Sequence, residues 1–241
     1  MKHIIITLAL SAIFLGGCKS NSTDNNPSNA ISSARTGSTF IYHNYYIDTL
    51  GAKITNDPNT AESIDTVTVL ATGISYQGKT NVTNFYNSGP DKGSYFLNYE
   101  ASGDISLYGE PRVSGVFTLH GGWVTLPLAG LSSSTFVLAD TVVKENGKPD
   151  HRRYETETDT YIGNDNISVG QETLECIKIQ SISVRDDTQG NFGSHNSDTT
   201  IIRIAKKTGY IAEIEPSTKV ISLKNGYSAR RMSVLLSYVL K

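Results

Sequence analysis

The chain has 241 residues, with 21 Lys and Arg against 23 Asp and Glu and a formal charge of −2, so it lacks the basic surplus that tracks nucleic acid. Its two cysteines are too few for a disulfide framework. With 13 Tyr, 21 Gly and a charged fraction of only 18%, it reads as a folding, strand-rich chain, not a disordered polyelectrolyte.

At the N-terminus, Lys2 and His3 form a short basic region and Ile4 to Phe14 an apolar run broken only by Thr7 and Ser11. Gly16 and Gly17 then supply the small residues that a signal peptidase needs. The run is much shorter than the roughly 20 apolar residues that span a bilayer. This predicts a secretion signal over 1–17. Leu15-Gly16-Gly17-Cys18 resembles the bacterial lipobox. The resemblance implies that Cys18 is acylated and becomes the mature N-terminus, anchoring the protein to a membrane. Several buried acyl chains, each CH₂ worth about 0.8 kcal/mol, would hold it stably. Lys19 after the cysteine resembles the enterobacterial signal for sorting to the outer membrane. Loss of residues 1–17 removes one Lys and no acid, leaving 20 basic against 23 acidic residues. Cys176 then has no intramolecular partner, and its apolar setting reads as a small buried hydrophobe.

Residues 18–36 contain Ser, Thr or Asn at 11 of 19 positions and one large apolar group, Ile31. Such a segment cannot offset the entropy of ordering it, and as a flexible tether it reaches about 25 Å. Residues 37–241 are expected to form a single β-domain.

Within that domain, β-branched and aromatic runs punctuated by Gly and Asn-Gly predict strands at Ser38–Asp48, Ser63–Tyr76, Lys79–Tyr86, Ser94–Tyr99, Asp104–Tyr108, Val113–Leu119 and Trp123–Leu126. Further strands are predicted at Thr135–Val143, Arg152–Ile162, Thr173–Val184, Thr199–Ala205, Tyr210–Glu215, Lys219–Leu223 and Tyr227–Leu240. Gln77-Gly78, Asn146-Gly147, Lys207-Thr208-Gly209 and Asn225-Gly226 supply residues tolerant of positive φ, as hairpin turns require. Ala229 to Leu240 could be drawn as an amphipathic helix, but Met232, Val234, Leu236, Tyr238 and Leu240 alternate as in a strand.

In the strand from Arg152, the face carrying Arg153, Glu155, Glu157, Asp159 and Tyr161 is expected to be wet. Ile64–Ile74 and Leu174–Val184 are apolar in both phases, which fits strands covered on two sides, bulged, or lining a cavity. The fold class is therefore all-β and mainly antiparallel: a single curled sheet or half-open barrel of hairpins with few or no helices.

The run Thr199 to Glu215, a strand, a Lys-Thr-Gly turn and a strand ending in carboxylates, resembles the late hairpin of the lipoprotein-carrier and lipoprotein-receptor half-barrel superfamily. Gly37 to Tyr42 and Trp123 to Leu128 are similar to segments of envelope lipoproteins of this kind. The resemblance implies a curled antiparallel sheet around an apolar cavity that takes acyl chains such as palmitate, but it carries over no site residue.

Chemical motifs are sparse. Glu155 and Glu157 stand about 7 Å apart on one strand face, a spacing that inverting glycosidases use, but a solvated acidic stripe is preferred. Asn164-Asp165-Asn166 reads as a hairpin turn, not a calcium loop. His43, His120, His151 and His195 form no zinc-ligand spacing, and there is no nucleophile elbow or nucleotide-binding glycine loop. Tyr42 and Tyr46 share a strand face, and Tyr86, Tyr95, Tyr99 and Tyr108 cluster in mid-chain, where strand propensity accounts for them. Asp48-Thr49-Leu50, Asp65-Thr66-Val67, Asp140-Thr141-Val142 and Asp198-Thr199-Thr200 resemble bacterial O-glycosylation acceptors.

Together these features predict a lipid-anchored envelope protein without enzymatic activity, metal or cofactor. It would meet the membrane through Cys18 and hold an apolar or lipid ligand in the sheet. The alternative is a structural lipoprotein that serves an envelope protein complex without a ligand.

Overall fold

The computed structural model describes residues 34–241 except 49–50, 56–59, 90–91, 110–111, 115–116, 120, 129–132, 145–148, 190–191, 216–220 and 223–227. Cys18, the signal segment, most of the tether, His120 and the Asn146-Gly147 and Asn225-Gly226 turns lie outside these residues.

The strands are β1 (Thr39–Ile47), β2 (Ser63–Tyr76), β3 (Lys79–Asn87), β4 (Gly93–Tyr99), β5 (Ile105–Gly109), β6 (Arg112–Ser114), β7 (Phe117–Leu119) and β8 (Gly122–Leu126). They continue with β9 (Ser133–Val143), β10 (His151–Val169), β11 (Glu172–Gln189), β12 (Phe192–Ala205), β13 (Tyr210–Glu215), β14 (Ile221–Ser222) and β15 (Ser228–Val239). One antiparallel path runs β8-β5-β4-β3-β2-β1-β15-β13-β12-β11-β10-β9, with β14 on β15 and β6-β7 as a separate hairpin. No α-helix occurs among the described residues. The sheet curls into a nearly closed barrel, as the strand pattern predicts.

Alternation places one face of each strand inside. Phe40 and Tyr42 of β1, Val67 and Val69 of β2, Phe85 of β3 and Leu97 of β4 are buried, with Ile105, Ile177, Ile179, Ile204 and Leu235. Tyr210 stacks on Phe85 with ring centroids 4.4 Å apart and meets Phe40 at 5.1 Å, filling one end of the barrel with rings. Ala34, at the start of the described chain, packs on this cluster.

The Gln77-Gly78 turn forms as expected, with both residues at positive φ. The predicted Val113–Leu119 strand is instead the short β6-β7 hairpin. Asn164-Asp165-Asn166 is not a turn: it lies inside β10, opposite Ile177, Cys176 and Glu175. The punctuation there is a bulge at Gly163, φ +128°, where the register shifts, and the chain reverses at Gly170, φ +60°. The expectation of a wet face on β10 is also overturned, since Arg153 is 8% exposed and Asp159 0%. Alternation shows which residues share a face, but curling decides which face is inside.

The two-phase apolar strands resolve differently. β2 carries several register shifts and leaves Ile64 and Leu70 exposed on its outer side. β11 is buried on both sides at Cys176 and Ile177. Burial raises the Cys176 thiol to about 12, with the charges of Arg203 and Asp165 in reach, so it stays protonated. The Thr199–Glu215 hairpin is present as β12 and β13, closed by Gly209 N–H donating to the Ala205 carbonyl at 2.9 Å.

Candidate functional site

The barrel does not fill with side chains. A cavity of about 470 Å³ remains between β1–β5, β8, β12, β13 and β15, within the roughly 300–1,000 Å³ typical of small-molecule sites. Val67, Leu97, Ile105, Leu107 and Leu126 line one side, and Ile204, Ile211 and Ile214 the other. Tyr42, Tyr95 and Tyr210 add ring surface.

Two of the surrounding phenols are tied to the β13 side. Tyr42 Oη donates to the Ile211 carbonyl, and Tyr99 Oη to the Gly209 carbonyl at 3.0 Å. Burial, reinforced by neighbouring phenols, raises Tyr42 well above the ordinary tyrosine range and raises Tyr210 too. Tyr99 is raised mainly by burial. All three stay neutral hydroxyls at physiological pH. Strand propensity alone accounts for tyrosines at these positions in the sequence; the curl makes Tyr42 and Tyr95 cavity walls and leaves Tyr86 exposed outside.

Polar residues gather at one end of the cavity: Asn44, Asp65, Asn87, Thr200, Glu215, Arg231 and Ser233. Asp65 is 5% exposed. Its carboxylate accepts from Ser63 Oγ at 3.2 Å and from Asn87 Nδ2 at 3.1 Å. Asn44 Nδ2 donates to Ser63 Oγ at 3.3 Å, and Ser233 Oγ donates to Asn44 Oδ1. Gly89 N–H donates to Asn87 Oδ1 at 2.9 Å. A Cβ at Gly89 would stand 2.2 Å from the Asp65 carboxylate, so only glycine permits this close approach. The one signal in the sequence was an acid on the same strand phase as Val67 and Val69.

The predicted acidic stripe lies on the same inner side, in β10. Arg153 Nε bonds Asp187 at 2.8 Å, and Arg185 Nε bonds the same carboxylate at 2.8 Å. Burial opposes the Asp187 charge, but these guanidinium contacts outweigh it and hold the carboxyl below its usual range. Asp159 has neither partner: both oxygens are buried and lack a hydrogen bond. Burial, with the charge of Glu157 added, pushes its carboxyl up to about 7, and the nearby Ser181 hydroxyl offsets part of the rise. Burial raises Glu157 as well. Both acids are thus pushed in the same direction by the same burial, and neither they nor Glu155 line the cavity.

Other candidates are dispersed. His43 meets Glu62 at 2.6 Å, His195 meets Asp186 at 2.6 Å and His151 meets Asp187 at 3.7 Å. Among the described residues no cluster of His, Cys, Asp and Glu could hold a metal. Of the four Asp-Thr triplets, Asp65-Thr66-Val67, Asp140-Thr141-Val142 and Asp198-Thr199-Thr200 lie within paired strands, and Thr49-Leu50 of the fourth lies outside the described residues. Asp165, Glu213 and Glu215 converge on Arg203 at 3.0, 2.8 and 3.0 Å, a structural clamp between β10, β12 and β13.

No protein-family model matches the chain, and no curated protein matches it. Among solved structures it is similar to a candidate lipoprotein from Parabacteroides distasonis ATCC 8503, with 10% identity and a TM-score of 0.49 over 86% of this chain and 97% of that one. It is also similar to a candidate exported protein with a YmcC-like fold from Bacteroides fragilis NCTC 9343, with 8% identity and a TM-score of 0.40 over 87% of this chain and 99% of that one.

Proposed function

We propose that this protein is held at the bacterial outer membrane by an acylated Cys18 and binds an apolar or lipid ligand inside its barrel, without catalysing a reaction. The observation that carries the reading is the cavity of about 470 Å³, walled by aliphatic and tyrosine side chains and polar at one end. An apolar space of this size inside an otherwise close-packed interior forgoes the dispersion contacts that a filled core would gain. An apolar occupant restores those contacts and removes its own surface from water, at roughly 25 cal/mol per Å².

The test is organic extraction and mass spectrometry of the full chain carrying Cys18→Ser, made in the periplasm. A co-purifying apolar molecule at near-stoichiometric amounts is expected, and Leu107→Trp, which fills the space, should remove it. An extract clean of any such molecule, together with no uptake of a fluorescent acyl probe, would overturn the reading in favour of a structural lipoprotein.

A further inference from the structure

Resting on that reading, we propose that the barrel's ligand is a single-chain amphiphile with a primary ammonium headgroup, its cation seated against Asp65 and its chain running along the aliphatic wall. The argument begins with charge. Asp65 is 5% exposed, and its partners are two neutral donors, Ser63 Oγ and Asn87 Nδ2. Among the described residues no Lys, Arg or His lies within ion-pair distance of it. A buried carboxylate without a counterion is costly to the fold, and a cation delivered by a ligand removes that cost.

The other charges lining the cavity are not free to do this. Glu215 is paired with Arg203 at 3.0 Å. Arg231 is solvent-exposed and already engaged within the protein. The exposure of Arg231 marks the polar end as the open one, so an amphiphile would enter chain first and leave its head among Asp65, Asn44 and Asn87.

The hydrogen-bonding inventory points the same way. Each of the two asparagines donates inside the network, Asn87 Nδ2 to Asp65 and Asn44 Nδ2 to Ser63. Their amide oxygens already accept from Gly89 N–H and Ser233 Oγ. The acceptor that faces a ligand is therefore the Asp65 carboxylate, whose two oxygens have more lone pairs than the two donors on it use. An ammonium has three donors and no acceptor, whereas a carboxylate headgroup would set acceptor against acceptor. The cavity volume lies in the lower half of the small-molecule range, which suits one chain.

The experiment is calorimetric titration of the Cys18→Ser full chain with dodecylammonium, dodecanol and dodecanoate below their aggregation limits at pH 7.5. Dodecylammonium should bind at least ten-fold more tightly than either of the others, and Asp65→Asn should erase that preference. Equal or tighter binding of dodecanoate, or a preference that survives Asp65→Asn, would overturn the proposal. The ranking in the unsubstituted pocket decides the matter even if Asp65→Asn fails to fold. Binding of all three without preference would sink the ammonium assignment alone. Failure of all three would sink the underlying ligand reading with it.

Discussion

The wall formed by β1 to β5 and the wall formed by β10 to β12 curl around one interior but line it with different chemistry. The first consists of strands of 5 to 14 residues and contributes Phe40, Val67, Val69, Phe85, Leu97 and Ile105. The second has strands of 14 to 19 residues. It is aliphatic only near Ile177, Ile179 and Ile204, and beyond them its inner side carries Arg153, Asp159, Ser181 and Asp187. Burial in the first wall is favourable in itself through the area removed from water. Burial in the second succeeds where charges are matched, as at Arg153 and Asp187, and is costly where they are not, as at Asp159. The same degree of enclosure therefore has opposite energetic signs at the rings and aliphatic side chains of the first wall and at Asp159 in the second.

Substitutions can press on each side of this contrast. The largest effect is expected from Phe85→Ala, which removes a fully buried ring from the Phe40 and Tyr210 stack: about 3–5 kcal/mol of stability lost in denaturant unfolding. A loss below about 1 kcal/mol would show that the ring cluster is not the core of that wall.

Asp159→Asn should act in the reverse direction and depend on pH. Between the ordinary carboxyl range and about 7, the folded protein keeps a proton on Asp159 that the unfolded chain has released. Stability therefore falls as pH rises through that window, and Glu157, also raised, steepens the fall. Asn has no such proton to lose. The variant should be more stable than the parent at pH 8, by on the order of 2–4 kcal/mol, and near parity at pH 4. Parallel stability curves for the two would refute the assignment. Asp187 and Glu100, both held low, act at the acid end, where their contribution is lost as pH falls below the ordinary carboxyl range.

Arg153→Met should cost less, about 1–3 kcal/mol, because Arg185 remains on Asp187 when Arg153 is gone. Smallest of all, Arg152→Ala breaks the exposed pair with Asp140 on the opposite side of the same strand and should leave the midpoint unchanged within error. If the two arginine variants behaved alike, the claim that one side of β10 is interior would fail.

The sequence reads well where local chemistry dictates the outcome. β2 and β13 fall at the predicted residues, and Gln77-Gly78 and Lys207-Thr208-Gly209 turn as their tolerance of positive φ requires. It reads poorly where tertiary pairing overrides propensity. Arg185 to Gln189 and Phe192 to Asp198 are too polar to suggest strands, yet they extend β11 and β12 because each has a partner across the ladder. The candidate site is the least legible part. Asp65, Asn44, Asn87 and Ser233 come from four strands, and only the curl of the sheet brings them together. No spacing along the chain could have announced that meeting.

The pairing of β1 with β15 also bears on how quickly the barrel can assemble. β1 sits between β2 and β15, with Thr39 opposite Val239 and Ile47 opposite Arg230. The β10-β11 hairpin can zip from Gly170 as a local event, but one side of β1 must wait for a strand at the far end of the sequence. Contacts of such separation slow folding, since loop entropy is spent before any pairing is gained. Until β15 arrives, β1 is an open edge able to pair with another molecule. The seam between the first and last strands is thus where refolding should be rate-limited and where aggregation competes with it.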